Sequence, residues 1–420
     1  MFKPPTPESS RTTPLQVFLV FLRLGLTSFG GPVAHIAFFR DEFVTRRRWL
    51  DEPGYADLVA LCQFLPGPAS SQVGMVLGLQ RAGWRGLMAA WLGFTLPSAL
   101  LMIGLAYAIG QSSALQGNGW WQSALDGLKV AAVAVVAHAI WGMARSLCPD
   151  AARRALALLA GLLALGVPAF TGAGLVWGQL LAMLVSGAVG AWLGHRWLGS
   201  GASAPVQPGF GLSRRVGVLA MGLLLGLLLG LPLGAAASGS AWMAQVDGFF
   251  RAGALVFGGG HVVLPLLQAS VVPTGAVSAA DFLAGYGAAQ AVPGPLFTFA
   301  AFLGATMHPA VMGVLSPWQN GLLLLAVIFL PALLVVVGVL PFWDVLRARA
   351  GVRAAMTGVN AGVVGLLVAA FIDPVWPAAI GSWQDVVLAA LALAALWRWR
   401  MSPFWVVLGC AGAGALLSTV

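Results

Sequence analysis

Apolar runs long enough to cross a lipid bilayer follow one another along almost the whole chain. A helix spans the hydrocarbon layer of about 30 Å with roughly 20 such residues. The long runs cover 87–110, 123–144, 171–194, 216–237, 320–340, 354–372 and 403–420, and two shorter runs cover 155–170 and 382–397. Only 8% of the residues are charged, against about 25% in a soluble domain. We therefore predict an all-α polytopic membrane protein.

Two copies of one sequence pattern stand on either side of a segment rich in Gly, Pro and Ser. The first copy contains FLRLGLTSFGGPVAHIAFF and DLVALCQFLPGPASSQVGMVLG, and the second contains FFRAGALVFGGGHVVLPLL and DFLAGYGAAQAVPGPLFTFAAFLG. The later blocks TLPSALL and GLKVAAVAV are matched by FLPALLV and GVNAGVVGL. Four matching blocks in the same order indicate an internal duplication.

The duplication divides the chain into five parts. They are a polar N-terminal tail (1–14), a first repeat (15–194), a linker (195–215), a connecting transmembrane helix (216–237) and a second repeat (241–420). The linker has Arg residues at both ends, which predicts that it is cytoplasmic.

The net charge of +9 raises the question of nucleic-acid binding, but nearly all Lys and Arg residues lie in short loops between the apolar runs. Such loops face the cytoplasm by the positive-inside rule, so no nucleic-acid partner is expected. With every basic loop in the cytoplasm, the two repeats have inverted topology. The FGGP and PGP elements are then re-entrant, which predicts about nine full spans and four broken segments, or about thirteen spans if all of them cross.

The FGGP and PGP motifs interrupt their helices, and irregular backbone at membrane depth is tolerated where it lines a cavity. Each PGP restarts a helix, whose free N–H groups and positive dipole end favour an anion. The repeat-matched Arg23 and Arg251 lie within apolar runs, where a cation is costly and usually functional. The predicted substrate-binding residues are Arg23, Gly30, Gly31, Pro32, His35, Gln63, Pro66, Gly67, Pro68, Ser70, Ser71, Arg251, Gly258, Gly259, His261, Gln290, Pro293, Gly294, Pro295 and Thr298.

Acidic residues and cysteines add no further site. All thirteen Asp and Glu residues lie in the tail, in loops or near segment ends, with Asp126, Asp247 and Asp281 closest to the membrane. No mid-span carboxylate is therefore expected as a proton relay or sodium ligand. The three cysteines are scattered, so neither a disulfide nor a metal site is predicted. No catalytic residue or cofactor is expected, because the apolar segments lack a nucleophile with a base and paired carboxylates.

The two copies differ where the chemistry would lie. Pro32 is replaced by Gly260, and His35 by Val263. The pair of serines after the first PGP, 70–71, becomes Phe297 and a threonine in the second copy. We therefore expect unequal contributions of the repeats to one site.

The duplicated FGGP and PGP blocks resemble the signature of the chromate ion transporter family, in its long-chain, two-domain form. The resemblance covers nearly the whole chain outside the tail and the linker. It implies a multi-pass bacterial inner-membrane protein that exports chromate and confers resistance to it, with a link to sulfate, a dianion of the same shape. Chromate, sulfate and the lipid bilayer are then the expected partners, and a homodimer is compatible with this picture. The alternative is a transporter or uptake system for sulfate or another anion, and the energy source, membrane potential or protons, is left open.

Overall fold

The computed structural model of the protein describes residues 12–28, 31–110, 119–171, 175–193, 212–256, 263–343 and 349–417. Regular secondary structure in these ranges is helical, without strands. Five helical stretches are long and apolar enough to cross a membrane: Ala69–Ile109, Asp126–Arg145, Arg214–Ser238, Pro317–Phe342 and Ala350–Asp373. The prediction of an all-α polytopic membrane protein is thereby confirmed, while the number of crossings and the inverted orientation stay predictions. The tail up to residue 11 and most of the linker lie outside the described residues.

The helices of the first repeat follow the predicted breaks. They are α1 (Pro14–Thr27), α2 (Gly31–Arg40), α3 (Glu52–Phe64), α4 (Ala69–Gly110), α5 (Gly119–Leu147), α6 (Ala151–Thr171) and α7 (Leu175–Leu193). A π-helical turn, Asp41–Arg46, continues α2. The connecting helix α8 (Arg214–Ser238) ends at Gly239, which has the left-handed backbone conformation that favours glycine.

The helices of the second repeat follow in the same order, with short extra turns. They are α9 (Ala241–Ala254), α10 (Val263–Val271), α11 (Ala279–Ala291), α12 (Phe299–Thr306), α13 (Pro309–Met312), α14 (Pro317–Val339), α15 (Ala350–Ala370), α16 (Trp376–Ala379), α17 (Trp383–Trp397) and α18 (Pro403–Leu417). The turns Leu296–Thr298 and Leu340–Phe342 are 3₁₀-helical, and Phe371–Val375 is π-helical.

Local capping signals set equivalent helix boundaries in the two repeats. Asp51 and Ser278 accept hydrogen bonds from backbone N–H groups in the first turns of α3 and α11, at 3.1 and 3.0 Å. Such caps satisfy N–H groups that have no partner within the helix. Both helices are 13 residues long, and both end shortly before a PGP motif.

The helix after each PGP motif packs against its own continuation. In α4 the backbone leaves the helical conformation at Ala82 and Gly83, and a Cβ on Gly86 would lie only 2.1 Å from the carbonyl oxygen of Gly78. In the second repeat a Cβ on Gly304 of α12 would lie 2.8 Å from the Cα of Gly321 in α14. Small residues let the backbones of membrane helices approach closely in this way.

The two repeats are interlocked, because each sends one long helix to the last helices of the other. A Cβ on Gly127 in α5 would lie 2.1 Å from the carbonyl oxygen of Cys410 in α18. At the matched position of the second repeat, a Cβ on Gly358 in α15 would lie 2.2 Å from the carbonyl oxygen of Ser186 in α7. Neither repeat therefore buries its long helix by itself.

The close contact between α15 and α6 yields a stability prediction. A Cβ on Gly365 would lie 1.9 Å from the carbonyl oxygen of Ala157, so Gly365→Leu should force α6 and α15 apart. Overpacking of this kind costs about 1–3 kcal/mol, and more where backbone must move. The measurement is thermal unfolding of the purified protein in detergent.

The matched control is Gly222→Leu in α8, where a Cβ would meet no atom within 4 Å. This variant should unfold at the wild-type temperature. Equal unfolding temperatures for Gly365→Leu and Gly222→Leu would contradict the close packing of α15 on α6.

Candidate functional site

The PGP motif of each repeat is hydrogen-bonded to the backbone just before the FGG motif of the other repeat. Gly67 N–H donates to the carbonyl oxygen of Val256 at 2.6 Å, and Gly294 N–H donates to that of Ser28 at 3.0 Å. Gly67 matches Gly294 and Ser28 matches Val256 in the duplicated pattern. The two bonds are therefore one contact made twice, as a pseudo-two-fold axis between the repeats would generate.

Only glycine suits the middle of either PGP motif. Gly67 and Gly294 have φ angles of +120° and +102°, a backbone region that disfavours side chains. A Cβ on Gly67 would lie 3.0 Å from the Cβ of Ala332, and a Cβ on Gly294 would lie 2.7 Å from the Oγ of Ser98. Ala332 and Ser98 are again matched positions, each following the proline of a long helix. The breaks thus pack against the long helices of the opposite repeat.

Polar side chains of the first repeat lie near both contacts, with Gln72 against Gly67 and Ser98 against Gly294. His35 in α2 lies with its Nδ1 3.4 Å from the Oγ of Ser70, the second residue of α4. The His35 ring packs edge-on against Phe94, at 5.2 Å between centroids, and a Cβ on Gly294 would lie 3.3 Å from the Phe94 carbonyl oxygen. Ser98 completes the contact with Gly294. We use the name polar cluster for the buried polar residues of these segments of the first repeat, which are Ser28, His35, Ser70, Ser71, Gln72, Thr95 and Ser98.

Every member of the polar cluster is at most 3% exposed. Several of their polar atoms have no hydrogen-bond partner among the described residues: Ser28 Oγ, His35 Nε2, Ser71 Oγ, Gln72 Oε1 and Thr95 Oγ1. Buried polar groups without a partner are costly, so a group of them indicates a site that a polar ligand or water completes. Serine and threonine hydroxyls and a neutral imidazole can all donate to the oxygens of an oxyanion.

The matched positions of the second repeat, which all lie among the described residues, are mostly apolar. At the positions that match the seven members, the second repeat has Val256, Val263, Phe297, Thr298, Phe299, Phe329 and Ala332. Two of these positions have aromatic rings in contact, those of Phe297 and Phe329, with 5.4 Å between their centroids. The hydroxyl of Thr298 donates to the carbonyl oxygen of Pro295 at 2.9 Å, within its own turn. The side chains around the two contacts therefore differ, and an unequal contribution of the repeats to one site stays a prediction.

The first helical turns after the two PGP motifs also differ between the repeats. In α4 the backbone N–H of Gln72 donates to the carbonyl oxygen of Pro68. The backbone N–H groups of the three preceding residues, Ala69, Ser70 and Ser71, therefore have no acceptor within the helix. The second PGP motif is followed by a 3₁₀ turn, in which the backbone N–H of Thr298 donates to the carbonyl oxygen of Pro295. The first repeat therefore offers the more open anion-binding helix start.

The other predicted residues lie in varied places. Gly31, the first residue of α2, has a φ angle of +78°. A Cβ on Gly31 would meet no atom within 4 Å, so there is open space beside the start of α2. The backbone of Pro32 belongs to α2. Gln63 is exposed near the end of α3, whereas Gln290 in α11 is half-buried, with its Nε2 unpartnered. Gly30, Gly258, Gly259 and His261 lie outside the described residues.

Pro66 and Gln72 hold the first PGP turn in place. The side-chain amide of Gln72 donates to the Pro66 carbonyl oxygen at 2.7 Å. Because a carbonyl oxygen only accepts hydrogen bonds, the side-chain nitrogen of Gln72 faces Pro66 and Oε1 of Gln72 points away from it. This Oε1 is one of the unpartnered atoms of the polar cluster. The matched position in the second repeat is Phe299.

The matched arginines differ in their surroundings. Arg23 is exposed on α1, and its charge acts on Glu42 in the turn after α2. Burial raises the pKa of Glu42, but hydrogen bonding from Arg47 and the charges of Arg47, Arg46 and Arg23 outweigh burial and lower it. Arg251, in contrast, donates to the carboxylate of Asp247 one turn earlier in α9.

Asp247 corrects the expectation that acidic residues stay in loops and at segment ends. Its side chain is buried within α9, and only the pairing with Arg251 compensates its charge among the described contacts. The i, i+4 spacing of the pair could have been read from the sequence. Ser28, Gln72, Thr95 and Ser98 were also missed, although each is a polar residue opposite an apolar one in the duplicated alignment.

The fold and the polar cluster together define a polytopic helical membrane protein with two interlocked repeats and a polar site at the contact between them. A sequence model described as "Chromate transporter" matches residues 15–191 and 243–415, which is most of the chain. The chain therefore belongs to the chromate transporter family, and it is a membrane transporter rather than an enzyme.

Curated relatives agree with this assignment. A chromate transport protein of Pseudomonas aeruginosa is 29% identical over 415 residues, which cover 96% of this chain and 92% of the relative. A chromate transport protein of Cupriavidus metallidurans is 24% identical over 367 residues, covering 85% and 81%. A probable chromate transport protein of Synechococcus elongatus is 25% identical over 362 residues, covering 84% of each chain. No solved structure gives a significant match.

Variants of the Arg251–Asp247 pair distinguish a structural role of Arg251 in the ion pair from a role in substrate transport. Arg251→Gln leaves the buried Asp247 charge unpaired and should destabilise the protein by about 2–4 kcal/mol. The double variant Arg251→Gln/Asp247→Asn should recover the wild-type unfolding temperature, because neither charge remains. Thermal unfolding of the purified variants measures both effects.

Transport by the double variant then decides the function of Arg251. If Arg251 binds the substrate, the double variant should be stable but transport chromate poorly. Wild-type transport by a stable double variant would assign Arg251 to the ion pair alone.

Proposed function

We propose that the protein exports chromate from the cytoplasm across the bacterial inner membrane and thereby confers resistance to chromate. The family supplies the substrate class, since the chain belongs to the chromate transporters. Direction, resistance and location are our inference from the charge pattern, the site and the energetics below.

The observation that supports the proposal most directly is the polar cluster. Its free hydroxyl groups and the imidazole of His35 lie among apolar helices, where their hydration is lost. A tetrahedral dianion presents four oxygens, each of which can accept such hydrogen bonds. The N-terminal end of α4 adds unpaired N–H groups and a positive dipole end to the same place. The cluster thus offers donors to an oxyanion and no described carboxylate to repel it.

Electrical work favours outward movement. Moving one charge through 100 mV is worth about 2.3 kcal/mol, so a dianion leaving an inside-negative cell gains about 4.6 kcal/mol. This free energy corresponds to roughly three orders of magnitude in concentration. The potential alone could therefore drive export, and proton coupling is the alternative energy source.

The mechanism we propose is alternating access of the two repeats around the polar cluster. The Gly67 and Gly294 contacts lie where the repeats meet, so rocking at these breaks would open the cluster to either side in turn. Arg23 and Arg251 would supply positive charge along the route, and Gln63 and Gln290 further hydrogen bonds. His261 and the FGG backbone of the second repeat would complete the nest of N–H groups.

The test is accumulation of radiolabelled chromate by cells that express matched serine variants. Ser71→Ala removes an unpartnered hydroxyl from the cluster. Losing one hydrogen bond to a charged ligand costs about 1.5–3 kcal/mol, or roughly a ten- to hundredfold loss of apparent affinity. We expect wild-type cells to accumulate less chromate than cells without the protein, and Ser71→Ala cells to lose most of this difference.

The control is Ser186→Ala, which removes another fully buried, unpartnered serine hydroxyl, at the contact of α7 with α15. It should export like the wild type at equal membrane expression. Equal export by both variants would remove Ser71 from the site.

Excess sulfate distinguishes the substrate alternatives in the same cells. Competition by sulfate would indicate one oxyanion site shared by both dianions. Higher chromate accumulation in expressing cells than in control cells would overturn export and indicate uptake. Rescue of growth under sulfate starvation would then support the alternative of a sulfate uptake system.

A further inference from the structure

A small polar cavity lies apart from the polar cluster, where α6, α7, α10 and α15 meet. Its volume is about 30 Å³, and it is lined by Gln179, Pro265, Gln268 and Asp373 together with apolar residues such as Leu366 and Ala369. Room for one water-sized particle needs about 10–15 Å³ on this measure, so the cavity can hold a single water or a small ion.

The two glutamines that line this cavity have unpartnered polar atoms. Gln179 and Gln268 are only 8% and 3% exposed. Gln179 Nε2 donates to the carbonyl oxygen of Pro265 at 3.2 Å, and because a carbonyl only accepts, Oε1 of Gln179 is left free. Both polar atoms of the Gln268 side chain lack a partner among the described residues.

Asp373 is the acidic residue in the lining of the cavity. The π-helical turn Phe371–Val375 ends α15 there, and Asp373 itself departs from helical geometry with φ −144° and ψ 115°. Such interruptions of a helix are frequent at functional sites. Asp373 is exposed and forms no ion pair with any described residue.

The charges around the cavity favour one positive ion. The described parts of α7 and α10 contain no Lys or Arg. The basic residues of α6 and α15 lie in their first turns, as Arg353 does, about 30 Å along α15 from Asp373 at 1.5 Å per residue. Two amide oxygens and one carboxylate form the oxygen-rich ligand set that hard cations prefer, and a single carboxylate balances a single charge.

We propose that this cavity binds one Na⁺, held by Oε1 of Gln179, Oε1 of Gln268 and the carboxylate of Asp373. The site is compatible with the expectation that no carboxylate lies mid-span, because Asp373 lies in the turn that follows α15. It occurs once, because the positions of the first repeat that match Gln268 and Asp373 are Arg40 and Gly142. Sodium binding itself does not depend on the proposed export of chromate; only its use as a coupling ion would rest on that function.

The test is the unfolding temperature of the purified full-length protein, measured without chromate in NaCl and in choline chloride of equal ionic strength. A ligand that binds the folded state alone raises the unfolding temperature with its concentration. We expect the wild type to unfold a few degrees higher in NaCl. Asp373→Asn and Gln268→Leu should each lose most of this sodium-dependent shift.

Asp41→Asn is the matched control, because Asp41 is an exposed carboxylate of the turn after α2, far along the sequence from the cavity. It should keep the full shift. Equal unfolding temperatures of the wild type in the two salts would overturn the proposal, as would an undiminished shift in Asp373→Asn. Because the experiment contains no chromate, its failure leaves the proposed export untouched, and a failure of export leaves the sodium site untouched.

Discussion

Two backbone hydrogen bonds, made by the middle glycines of the PGP motifs, join the repeats at the breaks in their helices. Gly67 and Gly294 each donate to the opposite repeat, at the residue that precedes its FGG motif. A buried N–H without this acceptor would cost about 1–3 kcal/mol. The bonds therefore fix the breaks of one repeat against the helices of the other, and the exchange of α5 and α15 between the repeats strengthens the same arrangement. The polar cluster lies at these contacts, with Gln72 against Gly67 and Ser98 against Gly294.

Duplication supplies the same backbone contacts twice, while the side chains around them differ between the repeats. The backbone contacts recur in both repeats because they need only glycine and a carbonyl oxygen. The side chains around them differ, with His35 and Ser70 in one repeat facing Val263 and Phe297 at the matched positions of the other. The positions of the first repeat that match Gln268 and Asp373 likewise have other side chains, those of Arg40 and Gly142. A symmetric frame with asymmetric contents suits a transporter that binds one ion between two moving halves.

The parts of this structure that follow from local chemistry could be predicted from the sequence. Helix type, the breaks at PGP and the matched blocks depend on neighbouring residues, and they agree with the structure. The contact of Gly67 with Val256 could not be predicted, because periodicity does not say which backbones meet across the molecule. Asp247 was expected near a segment end, and its burial inside α9 could not be predicted, although its spacing from Arg251 allowed a pair. Thr95 and Gln179 were missed because single polar residues in apolar helices carry no local signal of their partners.

The central claim is that two interlocked repeats build one oxyanion site, at the polar cluster of the first repeat rather than at the matched positions of the second. The most direct test is equilibrium binding of radiolabelled chromate to the purified protein, with the stoichiometry determined per chain. The account predicts one chromate per chain and loss of binding in Ser70→Ala/Ser71→Ala. Two equivalent sites per chain, or wild-type binding by the double variant, would contradict it.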